Sequence, residues 1–300
     1  MSVLVGVDTG RRSESVLALA AQLANSLQTD LVVAAVVASA WPPSRASVDH
    51  EWREHHHAAA DLVLDHAASV FGGQVKARYL VHEASSARRG LLELAEQEAP
   101  DALVLGSSAQ GETGRIALGA VSEALLHASP VPVAIAPVGY RAGLDSRIVR
   151  LTAGYGGTEA AEDLVLGAAT VAARAGGALR IASFAVRPEA ETGILSGAGG
   201  RAEDPVLIEW VEQIRRHASA IIDEVEELDP RPRVDDAVIG VGGSWAAAID
   251  DIGWGEGELL VVGSSSLNPL ARVFLGSHGV KIVRNSPVPA LVVPRAAAWG

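Results

Sequence analysis

Residues 101–137 read DALVLGSSAQGETGRIALGAVSEALLHASPVPVAIAP, and residues 258–294 read ELLVVGSSSLNPLARVFLGSHGVKIVRNSPVPALVVP. At a constant offset of 157, with no gap, they agree at 13 of 37 positions. The agreements gather at the end of an apolar run (Gly106-Ser107-Ser108 and Gly263-Ser264-Ser265), at a later glycine (Gly119 and Gly276) and at Ser-Pro-Val-Pro (Ser129 to Pro132 and Ser286 to Pro289). A period of this length exceeds any solenoid repeat and matches one domain. The chain therefore reads as one domain written twice, over 1–140 and 146–300. The join falls in 139–145, which has two glycines and little apolar character.

Outward from the repeat, short apolar runs alternate with helical spacings. In the first copy the runs predict strands over 2–7, 31–37, 75–81, 102–105 and 131–136. Ser13-Glu14-Ser15 opens a helix with Val16, Leu17, Leu19, Leu23 and Leu27 on one broad face. Further helices are expected in the C-terminal part of the polar stretch 44–71, over 90–98 and over 120–127. The second copy repeats the order, with strands over 148–153, 178–186, 233–240, 258–262 and 290–293. Its helices are expected over 160–175, 205–228 and 244–252, with a glycine-rich excursion at 193–200. Runs such as Leu31 to Ala38 and Leu259 to Val262 are almost wholly Val, Leu and Ala, the pattern of strands covered on both faces. The alternation predicts an α/β fold of two tandem doubly wound parallel-sheet domains, five strands each.

Composition narrows the function. The 300 residues carry 24 Lys and Arg against 36 Asp and Glu, a net charge of −12, which repels nucleic-acid phosphates. Cysteine is absent, which rules out disulfides and thiolate metal sites and suits a reducing compartment. The mean hydropathy of +0.24 comes from the strands. None of these runs approaches the ~20 apolar residues of a membrane helix. No basic segment precedes the first apolar run, so a secretory signal is not expected. These features predict a cytoplasmic protein without membrane or nucleic-acid partners.

Several clusters invite chemical readings. His50, Glu54 and His57 stand at i, i+4 and i+7, a metal-ligand spacing on a helix, with His55 and His56 beside them. The competing and favoured reading is a solvated, charged surface, dispensable for folding. Asp235-Asp236 and Asp250-Asp251 could act as paired carboxylates, but helix ends and exposed faces account for them in so acidic a chain. Trp210, Trp245 and Trp254 could line a ligand groove, but core or helix packing is the favoured reading. There is no nucleophile elbow, HExxH or lysine-bearing P-loop, so the chain is not expected to be an enzyme.

The repeated segment resembles the universal stress protein family. That family's phosphate motif is glycine, two residues, glycine, nine residues, glycine, then Ser or Thr, with a Pro-Val-Pro lead into the final strand. The second copy gives Gly263, Ser264-Ser265, Ser266, nine residues, Gly276, Ser277, followed by His278; the first gives Gly106, Ser107-Ser108, Ala109, nine residues, Gly119, Ala120. Asp8, after the first strand, matches the family residue near ribose and adenine. Val36 and Phe184 match the position whose backbone contacts adenine. The resemblance spans nearly the whole chain. It implies a stress-response binding module for ATP or a related adenine nucleotide. It also implies that the last strands of the two copies pair inside the chain, as an internal pseudo-dimer. The other class left open is a nucleotide-independent scaffold or regulator for a protein partner; assembly of whole chains into a homo-oligomer is a further possibility.

The physics of the motif stands apart from the family. Glycines let main-chain N–H groups approach an anion, and the helix N-terminus adds unpaired N–H groups and a positive dipole end. Both copies depart from it. Ala109 and Ser266 replace the second glycine, Ala120 removes the hydroxyl, and the second copy has Tyr155-Gly156 where the first has Asp8. A side chain at a position needing φ > 0 costs ~1–2 kcal/mol; otherwise the loop takes another path and the phosphates are lost. Ser277 makes the second copy the expected nucleotide site.

Overall fold

The computed structural model describes residues 2–9, 14–39, 46–187, 205–264 and 277–294, without the side chains of 46–50 and 205–206. The first half runs β1 (Ser2–Val7), α1 (Glu14–Leu27), β2 (Asp30–Ala38), α2 (Ala46–Phe71), β3 (Ala77–Ala84), α3 (Ala87–Glu98), β4 (Ala102–Gly106), α4 (Ala120–Ala128) and β5 (Val133–Ala136). The second runs β6 (Arg150–Gly154), α5 (Glu159–Ala175), β7 (Ala178–Val186), α6 (Pro205–Glu226), β8 (Arg233–Gly242), α7 (Trp245–Asp251), β9 (Glu258–Gly263), α8 (Ser277–Asn285) and β10 (Ala290–Val293). The expected order of elements is all present; the excursion 193–200 lies outside the described residues.

All ten strands join one sheet, in the order β3-β2-β1-β4-β5-β10-β9-β6-β7-β8. Every neighbouring pair is parallel except β5 and β10, which meet antiparallel. The central register is Ala290 to Ile135, Leu291 to Ala134 and Val292 to Val133. Adding 157 to 133, 134 and 135 gives 290, 291 and 292, so the pairing maps onto itself under the repeat. An approximate two-fold axis passes between Ala134 and Leu291. Every residue of β5 and β10 is buried, so the pairing removes two sheet edges from water.

Ser-Pro-Val-Pro is repeated because it makes one turn twice. Ser129 Oγ donates to the Val131 carbonyl and accepts from Val131 N–H; Ser286 does the same with Val288. Both serines are fully buried. The following prolines have no N–H, but their carbonyls accept from Leu103 and Leu260 in the neighbouring strands. The last strand of the first half therefore begins at Val133 rather than at 131. Other boundaries shift by two or three residues: β3 runs to Ala84 because it pairs with β2 as far as Ala38, α3 starts at Ala87, β6 starts at Arg150 and β8 runs to Gly242.

Helices α1, α2, α5 and α6 cover one face, where Leu19, Phe71, Val165 and Ile221 belong to one continuous core. On the other face Leu91, Leu125, Val283 and Leu260 form a second core, also drawn from both halves. The join between the halves is a strap rather than a loose tether. Asn25 of α1 donates to the carbonyls of Leu144 (2.6 Å) and Ser146 (3.2 Å). Gln22 accepts from Tyr140 Oη at 2.5 Å and donates to the Arg147 carbonyl. Ser26 accepts from Ile148 N–H at 2.7 Å. No helix among the described residues is long and apolar enough to cross a membrane.

Candidate functional site

In each half the strand order reverses beside the first strand, at β1/β4 and at β6/β9. Ligands of open α/β sheets bind outside the carboxyl ends of strands at such switch points. Residues Asp8, Val36, Gly106 and Gly119 of the first half, and Phe184, Gly263, Ser264, Ser277 and His278 of the second, belong to these ends. Ser265, Ser266 and Gly276 lie outside the described residues.

The loop between β4 and α4 in the first half is folded onto itself. Ser107 Oγ donates to the Ala136 carbonyl (2.6 Å) and accepts from Ala117 N–H. Ser108 N–H donates to the Ala117 carbonyl, Gly111 N–H to Ser108, and Gly114 N–H to Val138. At the helix start Gly119 N–H donates to Ser122 Oγ at 2.9 Å. The main-chain donors of Ser108, Gly111, Gly114, Ala117 and Gly119 are thus turned onto the protein itself. Gly111 is what lets the loop close: a Cβ there would stand 2.2 Å from Ala117 Cβ. Ala109 is not in the left-handed region: among the described residues the positive-φ residues other than glycine are Gln28 and Ala99. The first-half loop therefore carries no left-handed strain at Ala109. Asp8 is exposed, and the side chain of Val36 lies against Gly90 of α3.

From this closed loop Arg115 crosses to the other half. Its Nη1 and Nη2 grip both Asp250 oxygens, at 2.9 and 2.6 Å, and Nη1 also donates to the Asn285 carbonyl at 2.6 Å. Asp250 lies in the last turn of α7, and Asn285 ends α8. The Asp250 hydrogen bonds lift the guanidinium further above its ordinary range, against the opposing effect of burial.

The second half presents a different surface. Tyr155, in the place of Asp8, is buried, with its hydroxyl 3.4 Å from Glu162. A Cβ on the next residue, Gly156, would meet nothing within 4 Å. Phe184 is half-buried in β7, opposite Gly240. Ser264 is buried, and its N–H continues the sheet to Val293. Ser277 and His278 are exposed at the start of α8. The His278 ring lies 5.2 Å from that of Trp245, the first residue of α7, and Lys281 Nζ is 6.0 Å from the same indole.

A family model described as universal stress protein family matches residues 1–137 and again 149–294. The chain belongs to the universal stress protein family. Universal stress proteins of Mycobacterium tuberculosis and Mycobacterium bovis are each 39% identical to it over 301 residues, covering 98% of this chain and all of theirs. Among solved structures, a universal stress protein from Archaeoglobus fulgidus covers 98% of both chains at 18% identity and TM-score 0.61. One from Pseudomonas aeruginosa, described as putative, covers 98% of this chain and 93% of its own at 14% identity and TM-score 0.58. The α/β fold of two tandem universal stress domains is therefore shared by known structures.

The remaining sequence candidates have local roles. His57 Nε2 meets Glu83 at 2.8 Å, while the His56 ring lies against Trp52; the His50 side chain is outside the described residues. No group of three or more metal-ligating side chains occurs among the described residues. Asp235 pairs with Arg150 and Arg233, Asp236 accepts from Ala237 N–H, and Asp251 accepts from Val241 N–H. Trp210 packs on the first core, and Trp254 lies beneath Arg180.

One cluster escaped the sequence reading. Glu258, 1% exposed, accepts from Arg180 (2.5 Å), Arg150 (2.7 Å), Gly255 N–H (2.9 Å) and Thr152 Oγ1. Burial pushes the Arg180 guanidinium below its ordinary range, against the pull of Glu258. This cluster sits at the start of β9, the end of the sheet opposite the ligand crevice, and is structural.

Proposed function

We propose that this protein binds one adenine nucleotide of the ATP type per chain, in its second half, and acts by binding rather than by catalysis, in the cytoplasm. The observation that carries the reading is the closed first loop. That shape depends on Gly111 touching Ala117, and the equivalent positions of the second copy, 111 + 157 = 268 and 117 + 157 = 274, hold Asn268 and Phe274. In the closed form a Cβ in place of Gly111 already stands 2.2 Å from the Ala117 Cβ, so the larger Asn268 and Phe274 argue against the same closure in the second copy. Only the second copy also has a hydroxyl at the start of its helix, on Ser277. Its crevice offers the open backbone at Gly156 and the exposed Ser277 and His278. Glycines and a helix N-terminus suit phosphates, and the lost carboxylate at Tyr155 weakens ribose recognition more than phosphate recognition.

A melting-temperature titration with Mg-ATP tests this. Ligand at a hundred times its dissociation constant adds about 2.7 kcal/mol of stability. Ser277→Ala is expected to shrink the shift, through a charge-assisted hydrogen bond of about 1.5–3 kcal/mol. Ala120→Ser should leave it unchanged. Binding that survives Ser277→Ala but is lost in Asp8→Ala would move the site to the first half. No shift at millimolar ATP would favour the nucleotide-independent scaffold.

A further inference from the structure

We propose that Arg115, on the closed loop of the first half, is a positioning residue for the nucleotide site of the second half. It fixes the spacing of α7 and α8; the far end of α8 carries Ser277 and His278 of that site, and Trp245 at the far end of α7 lies against His278. The inference rests on the nucleotide reading above.

The geometry begins at the loop. Arg115 N–H donates to the Glu112 carbonyl, and the Arg115 carbonyl accepts from Val138 N–H, so its backbone is fixed on both sides. Its guanidinium holds two helices at once, α7 through both Asp250 oxygens and α8 through the Asn285 carbonyl. A cation at the Asn285 carbonyl also meets the negative end of the α8 dipole. The side chain is 24% exposed, so solvent screens the contact only in part. A second contact from the first half to α8, Arg284 to Glu123 at 3.6 Å, is about half exposed on both sides and adds little.

The opposite ends of the same helices reach the proposed site. Trp245 opens α7, Ser277 and His278 open α8, and the Trp245 and His278 rings meet there. With seven and nine residues these helices are about 10 and 14 Å long, short enough to move as rods. Helix α7 cannot settle closer to its sheet: Cβ atoms on Gly240 and Gly242 would stand 2.0 and 2.4 Å from the α7 backbone at Ala248. Arg115 ties it to α8, through Asp250 on one helix and the Asn285 carbonyl on the other. The loop that holds phosphate elsewhere in the family thus serves here as a clamp on the other copy.

The test compares the full-length chain with Arg115→Ala, Arg115→Lys and Asp250→Asn, with Mg-ATP as the probe. Calorimetric titration is run well below each variant's melting temperature. Arg115→Ala is expected to weaken ATP binding about tenfold, within the range of mutations that act through coupling. Arg115→Lys, which keeps the charge but not the fork, should lie between. Amide exchange should quicken in the hydrogen-bonded turns of α7 and α8 and stay unchanged in α3. Asp250→Asn, a milder change, carries the test if Arg115→Ala does not fold. Unchanged ATP affinity in folded Arg115 and Asp250 variants, with wild-type protein binding ATP, overturns the inference and leaves the nucleotide reading intact. If wild-type protein binds no ATP, the nucleotide reading fails, and with it the role of Arg115 at such a site.

Discussion

Glu258→Gln is the most demanding single substitution the structure offers. It conserves volume and removes one charge from a carboxylate that is 1% exposed and accepts from two arginines, a threonine and a main-chain N–H. Arg180 is left 5% exposed, with Thr152 Oγ1, the carbonyls of Ile252 and Gly253, and the Trp254 ring 5.0 Å away. None of these carries the charge to balance it, and the glutamine amide turns a donor toward donors. Removing one partner of a buried pair costs about 3–5 kcal/mol. At roughly 2–4 °C per kcal/mol for chains of 150–250 residues, the melting temperature falls by about 6–20 °C. Urea unfolding should show a lower midpoint at unchanged slope. The repeat supplies an internal control, because 258 − 157 = 101 and Asp101 has a buried Oδ2 with no hydrogen-bond partner among the described residues. Asp101→Asn should cost less than about 1 kcal/mol, since it breaks no pair. Equal losses in the two variants, or a loss below about 1 kcal/mol for Glu258→Gln, would refute the reasoning.

Two further outcomes follow from the packing. Burial raises the Tyr140 pKa, so its contribution is complete below the unfolded tyrosine pKa of about 10 and is lost as pH climbs through the folded value. Tyr79 and Tyr155 are raised as well, so Tyr140→Phe should reduce, without abolishing, the loss of stability in alkaline urea melts. Gly240→Ala places a methyl against the Ala248 carbonyl and should cost about 1–3 kcal/mol by overpacking, seen as a lower urea midpoint.

What the sequence made legible was whatever depends on neighbours in the chain. Strands of Val, Leu and Ala, helices with one apolar face, and the Ser-Pro-Val-Pro turn all follow from local chemistry, and the constant offset joined them into two domains. The antiparallel meeting of β5 and β10 came from the family resemblance, since nothing in four apolar residues selects a partner. Features set by distant contacts were not legible. Gly111 looks like any loop glycine until Ala117 is seen against it, and Gly240 and Gly242 read as weak points of a strand rather than as the floor under α7. Gln22, Asn25 and Ser26 resemble ordinary polar helix residues, although they hold a strap 118 to 125 residues away. Arg180 and Glu258 meet across 78 residues of sequence, with no local pattern to announce them. In the candidate site, the glycine spacing was readable, but the closure of the first loop and the crossing of Arg115 were not.

The central claim is that one chain, built from two copies of a domain, offers one nucleotide site, in the second copy. Native mass spectrometry of the full-length protein with Mg-ATP counts ligands per chain directly. The account predicts a single ATP per chain at saturation, lost first in Ser277→Ala and unaffected by Asp8→Ala. Two ATP molecules per chain, one in each half, or none at millimolar concentration, would contradict it.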